Sequence, residues 1–151
     1  MTLRDAVVGM ELPPLRIDPI SRKTLALFAG ASGDHQATHI DIDAAKAKGR
    51  DDVIAHGMLM MAYLGRILTN LVPQEKIRSY SARFVAPTPV HAEPTCTGRI
   101  AAIEDELATL ELAIMLADGT IVVRGEAVID LGVEDCRPDT TTTNRSGRGS
   151  E

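Results

Sequence analysis

Two short clusters hold the residues best able to move protons. In the first, DHQATH at residues 34–39, Asp34 and His39 stand five positions apart. A carboxylate and an imidazole facing one small volume can hold a water molecule, one taking its proton while the other supports or returns one. The same spacing suits a plainer arrangement, with Asp34 as a turn or capping residue and His39 as a hydrogen-bonded side chain at a strand edge. The second cluster is His56-Gly57-Met58, directly before the longest apolar run of the chain. A helix start leaves backbone N–H groups without partners and carries a partial positive charge, so it attracts a developing oxyanion. Glycine at that point lets a carbonyl approach the backbone closely. Such a helix start suits a thioester, whose carbonyl oxygen gains charge during proton transfer at the α-carbon. The plainer alternative has Gly57 easing a tight turn while His56 caps or packs. Met58, Met60 and Met61 suit an acyl tunnel or ordinary core filling, since thioether chains adapt to irregular apolar shapes.

Other chemistries find less support. Asp34, His35 and His39 invite a metal, but a fourth clustered ligand and any cysteine are lacking. His35 and His91 read as solvated. The glycine-bearing stretch GASGD follows a helix rather than a strand, which excludes a dinucleotide loop of the usual type, and no serine stands in a nucleophile elbow. Sixteen Lys and Arg against 21 Asp and Glu give a net charge of −5, which argues against a general nucleic-acid binder. With only 3% aromatic residues, stacking platforms for bases are missing as well.

The elements that must position the two clusters are readable in outline. Short apolar runs broken by Gly9, Pro13, Pro14 and Pro19 predict a loop with one short strand near residues 15–17. Ser21 suits the N-cap of a helix carrying Leu25 and Phe28, with Gly33 as the left-handed residue that ends it. The 34–39 cluster then begins in irregular backbone just past that helix. Asp41 or Asp43 caps a short helix closed by Gly49, and residues 50–52 form a solvated turn. Residues 58–71 form a helix that is apolar nearly all round, hence buried, and Pro73 stops it. From Ile77 the period becomes two. Four strands follow, around 77–86, 93–104, 107–117 and 121–131, with Asp118-Gly119 as a hairpin turn between the last two. A long helix followed by four antiparallel strands is an α+β pattern, and a curved sheet around the helix satisfies both.

Residues 1–131 are thus expected to form a single domain, large enough to bury a core without staples. Residues 132–151, with their Thr run and little to bury, are expected to be disordered. Cys96 and Cys136 are expected to be free thiols in a reducing compartment. No apolar run reaches the ~18 residues of a membrane span and no basic-then-apolar leader opens the chain, so a soluble cytoplasmic protein is expected.

The two motifs together, FAGASGDHQATHID followed by IAHGMLMM, resemble those of the MaoC-like (R)-specific enoyl-CoA hydratases and related hydroxyacyl-thioester dehydratases. That family's signature is an aromatic residue, a run of small residues, Gly-Asp, Asn-Pro, and a histidine five after the aspartate. A His-Gly-Met opens its central helix. Phe28, Gly33, Asp34, His39, His56, Gly57 and Met58 match, and the resemblance spans residues 1 to about 131. It implies a hotdog fold, in which an antiparallel sheet wraps a long helix, and a homodimer or dimer of dimers, with a heteromer containing a second hotdog chain as the alternative. The implied reaction is reversible syn hydration of a trans-2-enoyl thioester to the (R)-3-hydroxyacyl thioester. Asp34 and His39 then activate water, the Gly57 amide holds the thioester carbonyl, and His56, Met58 and Met61 contact the substrate. No metal or redox cofactor is implied; CoA or acyl-carrier protein carries the acyl group. Gln36 and Ala37 depart from the family's Asn-Pro. That departure keeps a non-catalytic partner subunit in view, and a thioesterase is a further alternative on the same fold.

Overall fold

The computed structural model describes residues 5–132. Residues 133–151, expected to be disordered, lie outside the described residues, as does Cys136. Ten elements follow one another. Strand β1 is Leu15–Arg16, and the helices are α1 (Arg22–Ser32), α2 (Ala37–Ile40), α3 (Ile42–Ala47) and α4 (Gly57–Thr69). A 3₁₀ turn at Gln74–Lys76 leads into β2 (Ile77–Phe84), β3 (Thr95–Glu104), β4 (Leu107–Met115) and β5 (Ile121–Asp130). The strands form one antiparallel sheet in the order β1-β3-β4-β5-β2. The α+β expectation and the curved sheet packed on a long helix are both met.

The helix ends follow local chemistry. The Ser21 side chain accepts from the Thr24 N–H at 3.0 Å, and Gly33 closes α1 at a φ of 75°. Asp41 caps α3 by accepting from the Asp43 and Ala44 N–H groups. Two findings differ from expectation. His39 sits on α2, a four-residue helix, rather than in irregular backbone. Residues 50–52 are more than a solvated turn, because Asp52 ion-pairs with Arg22 and ties that turn to the start of α1.

Helix α4 buries Leu59, Met60, Leu64, Ile67 and Leu68 against the inner face of the sheet. At Gly125 a Cβ would meet Leu64 Cδ2 at 2.9 Å and the Ser81 carbonyl at 3.0 Å, so glycine there lets the helix settle onto the strands. Ile100, Leu110, Ile114, Val122, Val123, Ala127 and Ile129 complete this core from the strand side. The helix is not buried all round. Met58, Ala62, Arg66 and Thr69 are exposed along one flank, because a single sheet covers only the opposite side. Cys96 is a free, fully buried thiol, pushed up to about 11 by burial. Among the described residues no helix is long and apolar enough to cross a membrane.

Candidate active site

The site is assembled where α1, α2 and the start of α4 meet. After Gly33 the chain turns through Asp34, whose Oδ1 accepts from the Gln36 N–H at 3.3 Å. This local bond closes a small turn that hands the chain to α2, on which His39 is buried. An extended stretch then runs back beside α2. The Ile54 N–H donates to the Thr38 carbonyl at 3.2 Å, and His39 Nδ1 lies 2.8 Å from the Ile54 carbonyl oxygen. A carbonyl only accepts, so Nδ1 carries the proton and the neutral His39 ring keeps a lone pair on Nε2. The Ala55 N–H bonds the Thr88 carbonyl at 2.8 Å, which anchors the same stretch to the loop after β2.

That stretch delivers His56 to a place behind His39. The two rings stack with centroids 4.0 Å apart and planes 25° apart, and Phe28 of α1 tilts against His56 at 4.9 Å. His56 Nε2 donates to the Asp34 carbonyl at 3.1 Å. Burial holds this imidazole below its ordinary value of 6.5; the nearby His39 adds to the effect, and the Asp34 bond opposes it.

An Asp34 carboxylate oxygen and one ring nitrogen from each of His39 and His56 lie within 4.8 Å of one another. The metal set imagined from sequence is therefore rearranged, with the exposed His35 outside it and His56 inside. Imidazole lone pairs lie in the ring plane, so two near-parallel rings do not aim at one ion at the ~2.0–2.1 Å that zinc requires. A water molecule fits the separation better. Ordinary hydrogen bonds of about 2.8 Å to two acceptors at a tetrahedral angle span about 4.6 Å.

Beside His39 opens a cavity of about 340 Å³. His39, Gly57 and Met60 lie on one side, and Phe84, Pro87, Thr88, Val122 and Val123 on others. Gly57 and Met58 begin α4, so their N–H groups have no partner in the helix ladder. Sequence reasoning named Asp34, His39 and Gly57; the structure sets Asp34 against His39 and His56, and it places His39 and Gly57, but not Asp34, on the lining of the cavity. Of the predicted substrate contacts, His56 is fully buried, Met58 is 56% exposed, and Met61 offers its carbonyl to the Tyr80 hydroxyl at 2.7 Å. None of these three lines the cavity; Met60 does. Two participants were missed. Ile54 acts through its carbonyl, which leaves no trace in residue type. Phe84 lays its ring on the α4 start, 3.3 Å from where a Gly57 Cβ would be, and its only sequence signal is an aromatic at a strand end.

Comparison with known proteins agrees with this geometry. Residues 6–106 match the MaoC like domain. The 3-hydroxyacyl-thioester dehydratase Z of Mycobacterium tuberculosis is 33% identical over 92 residues, 57% of this chain and 61% of that protein, so the match spans about three-fifths of that relative's length. The (R)-specific enoyl-CoA hydratase of Aeromonas caviae is 30% identical over 111 residues, 71% of this chain and 83% of that one. The solved structure of an (R)-hydratase from that organism superposes with a TM-score of 0.75 over 83% of this chain and 97% of its own, at 28% identity. A chain of the ChsH1–ChsH2 complex from Mycobacterium tuberculosis superposes with a TM-score of 0.73 at 25% identity, over 82% of this chain and 97% of that one. With its fold, its two motifs and the domain match in agreement, the chain belongs to the MaoC-like dehydratase family and has the hotdog fold.

Proposed function

We propose that this protein catalyses reversible, (R)-specific hydration of trans-2-enoyl thioesters of CoA or acyl-carrier protein. The observation that carries this reading is that an Asp34 carboxylate oxygen and a His39 ring nitrogen lie within 4.8 Å of one another, while His39 and Gly57 line an apolar cavity. With His39 neutral and protonated at Nδ1, its Nε2 and the Asp34 carboxylate are both acceptors, so one water donates a proton to each and turns its oxygen lone pair outward. That oxygen bonds to C3 of the enoyl group. The C2–C3 π pair moves toward the thioester carbonyl, whose oxygen takes the Gly57 N–H. The water proton, held for a moment by Asp34 or His39, is returned to C2 from the same face, which makes the addition syn. Dehydration is the same path reversed.

The test is loss of enone absorbance with crotonyl-CoA and with a longer trans-2-enoyl-CoA, with a thiol-reactive dye in a parallel tube. Absorbance loss without thiol release, giving the (R)-alcohol, is expected. Thiol release identifies a thioesterase and refutes the hydratase.

The assembly we propose is a dimer, of two copies or with a second hotdog chain. Strand β2 ends the sheet with an open edge, and the exposed flank of α4 lies beside it. Two observations favour a non-catalytic partner role: Gln36 provides no side-chain cap to α2, and a fold relative is a two-chain complex. Copurification with a hotdog chain that carries the activity alone supports that second reading.

A further inference from the structure

His56 is fully buried and stands outside the cavity lining, yet it contacts both residues assigned to water activation. Its Nε2 is 3.1 Å from the main-chain carbonyl of Asp34, its face lies 4.0 Å from the His39 ring, and Phe28 backs it at 4.9 Å. The acceptor is a carbonyl, so Nε2 bears the proton. Nδ1 is then a buried lone pair, and among the described residues no hydrogen-bond partner reaches it. Protonating Nδ1 would bury an N–H without an acceptor and place a cation against His39, a cost that burial in low dielectric makes large.

We infer that His56 is the positioning residue of the site: a neutral imidazole that fixes Asp34 through its main-chain carbonyl and His39 through ring stacking. The inference rests on the hydratase reading for its catalytic meaning but not for its geometry. Its consequence is a division of labour between two histidines that look equivalent in sequence. Among the described residues the ionisable groups acting on His56 are Asp34 and His39, and α1 presents the Phe28 ring to it. Two stacked imidazoliums are excluded by repulsion, so the stacked pair holds at most one added proton. Of the two rings, His39 is the one that lines the cavity, so it is the one placed to exchange a proton with water or substrate. His56 stays a fixed donor throughout the cycle. It behaves as part of the scaffold even though its residue type suggests a second acid–base group.

The experiment has one arm that needs no turnover. Imidazole nitrogen NMR on the full chain is expected to show His56 as the Nε2–H tautomer across pH 5 to 8, with no titration. Titration of His56 in that range, or the opposite tautomer, overturns the inference whether or not the protein hydrates anything. The second arm uses two variants. His56→Phe keeps the stacked face and loses the donor to Asp34; His56→Gln keeps a donor and loses the face. Misplacing a catalytic group by about 1 Å costs on the order of 10²-fold, so His56→Phe is expected to lower kcat by about that factor with KM near wild type. His56→Gln is expected to move the acid limb of the pH–rate profile, which a merely structural residue would leave in place. Folded variants with wild-type kcat and pH profile overturn the inference. Wild-type silence toward every enoyl-CoA sinks the hydratase reading alone and leaves the NMR arm to decide.

Discussion

Asp34 and His39 were legible because their spacing is short and local, so a single turn brings them to one volume. His56 was legible as a residue but not as a neighbour of His39. Its place depends on an extended stretch that bonds Thr38 on one side and Thr88 on the other, and such pairings leave no local pattern. The division of roles is testable side chain by side chain. Asp34 is exposed, so Asp34→Asn is expected to change stability by less than about 0.5 kcal/mol, while a positioned acid–base group contributes about 10²–10⁴-fold to rate. His39→Gln is expected to lose hydration by a similar factor. Wild-type turnover of crotonyl-CoA by either variant removes the proposed mechanism. Gly57 makes a sharper case. His56 already has φ −60° and ψ 133°, the extended form required before proline, and Gly57 is the first helical residue, where proline is well tolerated. Gly57→Pro therefore keeps α4 and removes one N–H. Gly57→Ala is its control, since both variants place a Cβ 3.3 Å from the Phe84 ring but only alanine retains the donor. Proline is expected to lower kcat by about 10²–10³-fold relative to alanine, the usual effect of losing one oxyanion donor. Equal rates would reject the Gly57 amide as that donor.

Elements defined by their own caps were read well from sequence. Ser21 and Gly33 bracket α1 and Asp41 opens α3, because each cap is a bond within a few residues. The four long strands were legible from their alternation and turns. The position of β2 beside β5, across the sheet from β3, was not, since it is decided by packing over α4 rather than by any local preference. Helix α2 escaped notice because four residues are too few for a periodic signal. Its structure also explains the Gln36-Ala37 departure. Ala37 is the first residue of α2, where a proline sacrifices no intrahelical bond, and Gln36, at ψ 125°, already has the backbone that precedes proline. The change to alanine thus keeps the fold of the loop and gives up only rigidity. Ala37→Pro is expected to raise unfolding free energy by about 0.4–1 kcal/mol through the unfolded chain, with hydration kept. Chemical denaturation checks it; a loss of stability would mean that the Ala37 N–H is needed.

At the scale of the whole molecule, periodicity misjudged α4 for an instructive reason. Apolar residues run all round it, which in a monomer would mean burial on every side, yet the sheet of one chain covers only part of its circumference. The uncovered flank carries Met58, Ala62, Arg66 and Thr69, and it borders a groove of about 440 Å³ that Ala62, Gly65, Arg66 and Thr69 share with Ile77 and Tyr80 of β2. A partly apolar helix flank next to an open strand edge is what a second hotdog domain would cover, and small residues at positions 62 and 65 allow close approach. The expectation is a dimer in solution whose interface includes this flank. Ala62→Arg tests it with little risk to the monomer, because the site is exposed and arginine is nearly as good a helix former as alanine. A second guanidinium one turn before Arg66, buried in the contact without a partner, costs several kcal/mol per ion, and the two-fold symmetry of a homodimer applies that cost twice. Sedimentation should therefore show wild-type dimer and Ala62→Arg monomer, with the same circular dichroism and thermal midpoint at low concentration. A variant that stays dimeric would place the interface elsewhere, away from the α4 flank.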